Sequence, residues 1–315
     1  MNKNNELFIC IATRYTLYSQ VCIGILANTI LLLLHVLTLL LEHRLKPTDL
    51  TTSHLALIHT VLQLTTGFIA TDIFGSQNFW NDLTCKSVIL LHRLMRELSI
   101  SSTCLLSVLQ AITLSPRSSC LAKFKHKSST DSLCFFLFLW VFNTSIGGRF
   151  LISTVATPNV TSASLLFVTK SCSLWPMRYV RLTFFTLATF QDTSLIGLMV
   201  LSSGYMVSLL CRHKRQSQHL HSNRLALRAS PVARATQSIL LLMSFFVFIY
   251  FWDCIISTSS GLSWNNDSVH LCVQMLVGNS YAMVSPLVLI STEKRVIKFL
   301  KHMWGKDQKC SVIQR

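Results

Sequence analysis

Long apolar runs alternate along the chain with short polar segments. Tyr15–Leu41 holds no Asp, Glu, Lys or Arg, and neither does Leu50–Thr71. Comparable stretches follow at Leu98–Ser115, Ser132–Gly148, Thr193–Cys211, Ala235–Trp252 and Ser268–Thr292. A helix needs roughly 20 apolar residues to cross the hydrocarbon core of a bilayer, and one soluble core could hardly hide all seven runs. The pattern predicts membrane helices over residues 15–41, 50–73, 86–113, 131–152, 182–211, 235–258 and 269–292. The expected architecture is an all-α membrane protein, a seven-transmembrane helix bundle built as one domain over residues 1–315.

Composition agrees. The chain has 315 residues, 51% hydrophobic and 13% charged, where an average soluble domain carries about 25% charged residues. A net charge of +16 would suggest nucleic acid in a soluble protein, but the basic residues gather in alternate loops. Arg44 and Lys46 form the first cluster, and Arg117, Lys123, Lys125 and Lys127 the second. Arg212, Lys214, Arg215, Arg224, Arg228 and Arg234 form the third, and Lys294 begins a last one that runs to Arg315. The opposite side offers only Lys3, Arg14, Lys170, Arg178 and Arg181. Basic loops stay in the cytoplasm, which puts the N-terminus outside and the C-terminus inside a plasma membrane. That arrangement needs an odd number of crossings. The first fourteen residues show no cleavage-site pattern, and the first apolar run exceeds a signal-peptide core, so the first helix is expected to be retained.

Most of the eleven cysteines fall inside the spans, but two are placed to pair outside them. Cys85 lies at the outer end of helix 3 and Cys172 in the second outer loop, both on the oxidising side. A bridge between them would tie that loop over the bundle; the alternative is two free thiols. Asn159-Val-Thr161 is a glycosylation acceptor in the same loop, whereas Asn143-Thr-Ser145 lies within helix 4 and is expected to be inert. Beyond helix 7, Val296, Phe299, Leu300 and Met303 share one helical face, with Lys294, Arg295, Lys298 and Lys301 on the other. This predicts a membrane-surface helix over residues 293–304; the alternative is a frayed basic tail. Cys310 is open to palmitoylation or to no modification.

An ionisable residue within a span costs several kcal/mol unless paired or hydrated. Helix 3 concentrates four, His92, Arg93, Arg96 and Glu97, at about 10–18 Å below its outer end at 1.5 Å per residue. Arg93 and Glu97 can pair along the helix, so Arg96 needs another partner. Asp192 in helix 5 and Asp253 in helix 6 are the candidates. These six residues form either a ligand pocket open to the outside or a closed network that only fixes packing. A surplus arginine would favour acidic or sulfated ligands. Tyr250, Phe251 and Trp252 adjoin Asp253. Pro286 removes a backbone hydrogen bond and should kink helix 7, with Ser280 and Ser285 available to meet freed carbonyls. No GxSxG, HExxH or Walker loop occurs, and no His/Cys spacing suits zinc, so neither an enzyme nor a metal or cofactor site is expected.

Seven helices, Cys85 with Cys172, Gly24-Ile-Leu-Ala-Asn28 and Pro286 together resemble a G-protein-coupled receptor. Three departures narrow the resemblance. Helix 3 ends in Ile112-Thr-Leu-Ser-Pro-Arg117 and lacks Asp/Glu-Arg-Tyr. His54-Leu-Ala-Leu-Ile-His59 has no Asp at the usual sodium-site spacing. Asn279-Ser-Tyr-Ala-Met-Val-Ser-Pro286 replaces Asn-Pro-x-x-Tyr. With Leu45-Lys-Pro-Thr-Asp-Leu50, His92-Arg-Leu-Met95, the run from Cys104 to Arg117, Thr157-Pro-Asn-Val-Thr161, Ser194 to Tyr205, Ala229 to Gln237 and Ser285 to Ser291, the chain is similar to the vomeronasal type-1 pheromone receptors. The resemblance implies a chemosensory receptor that binds small-molecule pheromones from outside and activates a Gi/o-type heterotrimeric G protein. Arg117, Lys123, Arg228 and Arg234 would then meet that G protein. A bitter-taste-type receptor is the near alternative, and a small-solute transporter or channel the distant one. Against the latter, no inverted repeat or paired broken helix is visible.

Overall fold

The computed structural model describes residues 3–42, 47–75, 80–116, 129–148, 154–156, 166–167, 172–174, 178–220, 231–262 and 268–292. Seven helices are described: α1 Lys3–Glu42, α2 Pro47–Phe74, α3 Asp82–Leu114, α4 Ser129–Gly147, α5 Arg178–Leu220, α6 Pro231–Leu262 and α7 Ser268–Thr292. Between α4 and α5 in sequence come three short strands, β1 Thr154–Ala156, β2 Leu166–Phe167 and β3 Cys172–Leu174, which pair antiparallel in the order β1-β3-β2. The hydrophobic pattern gave no hint of this sheet.

Among the described residues, six helices are long and apolar enough to cross a membrane, and α4 adds the shorter apolar run Cys134–Gly147. Apolar side chains also cover the outside. On α1, Ile23, Leu26, Ile30, Leu33, Leu37 and Leu40 recur every three or four residues and are exposed, while Leu17, Val21, Ala27 and Leu31 are buried. A helix apolar on both faces suits lipid on one side and protein on the other. The chain is a multi-pass membrane protein.

At the centre stands α3, in contact with α2, α4, α5, α6 and β1. Its start is set locally. Asn81 is extended (φ −108°, ψ 177°), and its Oδ1 accepts from the Thr84 backbone N–H at 2.8 Å, a standard N-cap. Asp82 adds a negative charge in the first turn, where the helix dipole favours it. Trp80, just before the cap, packs in one cluster with Cys85 and Cys172, as a hydrophobic staple does. Cys85 and Cys172 are joined by a disulfide, so β3 is tethered to the first turn of α3. The other end stops at Ser115 before Pro116, which disfavours helix in the residue before it.

Within α7, Pro286 sits inside a continuous helix. Lacking an N–H, it leaves the Ala282 carbonyl without its helical donor. That carbonyl accepts from Asn28 Nδ2 of α1 at 2.9 Å. Ser280 and Ser285, expected for this task, bond Val277 O and His59 instead. At its C-terminal end, α5 continues to Leu220, beyond the span predicted to end at 211. Arg212, His213, Lys214, Arg215 and Gln216 thus belong to a helix, as the high helix propensity of Arg, Lys and Gln allows. The 293–304 surface helix, Asn159, Arg117, Lys123, Arg228 and Cys310 lie outside the described residues; Arg234 falls in the first turn of α6.

Candidate functional site

A small cavity opens between α2, α3, α6 and α7. It offers about 30 Å³ of water-occupiable space, room for roughly two waters. Its frame is apolar: Leu62, Ile100, Phe246, Ile249 and Ala282. One charged pair is set into that frame. Arg96 of α3 donates through Nη2 to Oδ2 of Asp253 on α6. Both line the cavity, but the Asp253 side chain is 4% exposed and that of Arg96 25%, so the carboxylate is the drier of the two. Gly278 of α7 makes the pairing possible. A Cβ there would lie 3.1 Å from Asp253 Oδ1 and 3.2 Å from Arg96 Nη1. Beside the pair, the Tyr250 hydroxyl donates to Asp192 Oδ2 of α5 at 3.1 Å.

An aromatic chain leads inward from there. Tyr250 stacks with Phe246 at 6.4 Å, Phe246 meets Tyr281 edge-on at 4.6 Å, and Tyr281 stands perpendicular to His59 at 5.5 Å. Phe246 and Tyr281 both border the cavity. His59 is buried in α2 and binds two hydroxyls, Ser99 of α3 at 2.8 Å and Ser285 of α7 at 3.0 Å. Nothing here sets a nucleophile beside a base. Among the described residues, no three His, Cys, Asp or Glu gather as metal ligands. The arrangement can recognise a molecule and respond to it mechanically.

Comparison with known proteins decides what class of response this is. The family model for the vomeronasal organ pheromone receptor family matches residues 11–302. Vomeronasal type-1 receptor 90 of Rattus norvegicus is 54% identical over 307 residues, covering 97% of this chain and 99% of that protein. Vomeronasal type-1 receptors 53 and 44 of Mus musculus are 48% and 49% identical over the same shares. The chain belongs to the vomeronasal type-1 receptor family. It is a chemosensory G-protein-coupled receptor, and its partners are in general a ligand and a G protein.

In this receptor the six ionisable residues read from the sequence do not form one constellation. Arg96 and Asp253 meet, and Asp192 joins their edge through Tyr250. His92 turns to α2, with Nδ1 3.3 Å from Thr65 Oγ1. Glu97 faces α4, where a Cβ on Gly147 would come within 3.9 Å of its Oε2. Arg93 is half-buried on α3 and does not border the cavity. Phe251 and Trp252 point outward, leaving Tyr250 as the aromatic neighbour of the pair. Asn143, an inert glycosylation match in the sequence, is a buried connector: it accepts from Gln191 of α5 at 2.9 Å and donates to Ser101 of α3 at 3.2 Å. Gly278 escaped notice. A glycine inside a helix costs about 1 kcal/mol against alanine, and that cost was the available signal that a neighbour needs the space.

Proposed function

We propose that the receptor binds a small, mostly apolar pheromone carrying one polar group in the cavity between α2, α3, α6 and α7. Binding then activates a Gi/o-type G protein at the cytoplasmic side. One observation carries the ligand reading: a single ion pair set into a largely apolar frame walled by four helices. Because Asp253 meets the charge of Arg96, an anionic group is not required. A hydroxyl or carbonyl that competes for the guanidinium suffices to seat the molecule. The cavity as it stands is smaller than a steroid, so binding parts the helices around it. That links occupancy to helix movement. Moving the receptor from about 1% to 99% active needs a ligand that prefers the active form by roughly 5.5 kcal/mol.

The charge pattern supports an extracellular N-terminus and a cytoplasmic C-terminus. On that topology Arg117, Lys123, Arg228 and Arg234 face the G protein. The Gi/o assignment is carried over from what the resemblance to the family implies. The test is a screen of neutral steroids, and of their acidic and sulfated counterparts, against cells expressing the full chain. G-protein activation is read with and without pertussis toxin. Toxin-sensitive responses to neutral members, abolished in Arg96→Met with Asp253→Leu, are expected. Responses confined to anions would overturn the ligand reading; toxin-insensitive responses would overturn the Gi/o assignment.

A further inference from the structure

We infer that His59 is a positioning residue that couples the cavity to the inner half of α7, without touching ligand. The inference rests on the cavity being the ligand site, and it adds a route by which occupancy reaches the G-protein side.

His59 is 1% exposed and does not border the cavity. Both its ring nitrogens are used, one on Ser99 of α3 and the other on Ser285 of α7. A neutral imidazole donates at one nitrogen and accepts at the other, and a serine hydroxyl can do either. The Ser99–His59–Ser285 bridge is therefore satisfied in both tautomers with no heavy atom moved. Ser285 immediately precedes Pro286, where α7 lacks one internal backbone bond and relies on Asn28. The bridge thus grips α7 at its weakest turn. Its upper side is braced by Tyr281, which stands on the His59 ring, lines the cavity and takes a hydrogen bond from Thr103 at 3.4 Å. A molecule that displaces Tyr281 removes this brace and frees the ring to release Ser285.

The test needs no identified ligand. Nucleotide exchange on a co-expressed heterotrimeric G protein is measured in membranes bearing the full chain, per receptor counted at the surface. His59→Phe keeps the ring and loses both hydrogen bonds. Ser285→Ala loses one and perturbs folding least. His59→Gln restores a donor and an acceptor. Losing one net hydrogen bond shifts a two-state equilibrium by roughly two- to tenfold. Basal exchange should rise by that order in His59→Phe and in Ser285→Ala, return towards wild type in His59→Gln, and rise no further in the double variant. Should His59→Phe fail to reach the surface, Ser285→Ala and Ser99→Ala carry the test alone. Unchanged exchange per receptor with lowered expression would mean packing only, and would overturn the coupling role. Independent, additive increases would overturn it too. If every variant and the wild type drive no exchange even with added steroid, the receptor reading of the cavity fails first and this inference with it.

Discussion

Replacing Arg96 and Asp253 together should be far milder for the fold than replacing either alone. The Asp253 side chain is 4% exposed and the Arg96 side chain 25%. Removing one partner of a buried pair leaves the other charge uncompensated, at about 3–5 kcal/mol. Arg96 is the more exposed partner, so water can hydrate it, and Asp253→Leu belongs near the low end of that range. Arg96→Met strands a drier carboxylate and belongs near the high end. The double variant strands nothing, and an apolar pair of similar volume is often neutral or stabilising. Its penalty should fall short of the summed single penalties by about 3 kcal/mol or more. The assay is the thermal-unfolding midpoint of receptor purified into lipid nanodiscs, with surface display of an N-terminal tag as a cellular check. Display should collapse in each single variant and recover in the double one, which should nonetheless ignore every steroid that stimulates wild type. Additive destabilisation would refute the pairing argument. A double variant with a wild-type dose–response curve would refute the assignment of the pair to the ligand site.

Gly278→Ala should keep surface display and lower ligand potency, because its Cβ would press on Asp253 and Arg96 at 3.1 and 3.2 Å; an unshifted dose–response curve would show that the pair can give way freely. Asn28→Ala leaves the Ala282 carbonyl unmet and should cost about 1–3 kcal/mol in nanodisc stability. That penalty should shrink in a Pro286→Ala background, where residue 286 regains an N–H for the same carbonyl; an equal penalty in both backgrounds contradicts the account. Cys85→Ser and Cys172→Ser should each lower stability by about 2–4 kcal/mol, and the double variant should be no worse than either single one, as non-reducing electrophoresis and thermal unfolding would establish.

The fold was legible because the bilayer imposes a length. Runs such as Tyr15–Leu41 admit few other readings. The charges of the site were legible for a related reason: Arg96 and Asp253 are too costly in a span to be incidental. Which residues they meet was not. On α6 the outward Leu241, Phe248, Trp252 and Ile255 are as apolar as the buried Leu242, Met243, Phe246 and Ile249. No contrast along the helix therefore reports its rotation, and Asp192 and Asp253 remain equal contenders for Arg96 on sequence alone. The same blindness applies to α3, where consecutive charged positions turned out to serve α2, α4 and the cavity separately. The strands before α5 were hidden for a different reason, since strands of two or three residues carry no periodicity to read.

Inside lipid, burying one more leucine between helices gains little, because lipid tails are as apolar as leucine. Helix register here is therefore fixed by polar contacts spread through the bundle: Gln20 to Leu276 O, Asn28 to Ala282 O, His59 to Ser99 and Ser285, Ser107 to Ser202, and Ser115 to Tyr205. Interhelical bonds of this kind average about 0.6 kcal/mol. The roughly 5.5 kcal/mol that a full switch demands equals about nine of them. No ligand seated on one side chain could supply that by direct contact with the polar network. It must instead act on an element that several bonds share, and α7 is such an element, bonded to α1 by Gln20 and Asn28 and to α2 by Gln63 and His59. A movement of α7 trades those bonds as a set. The switch is therefore to be sought in how α7 sits against α1 and α2, with the ion pair on α3 and α6 proposed to sense the ligand.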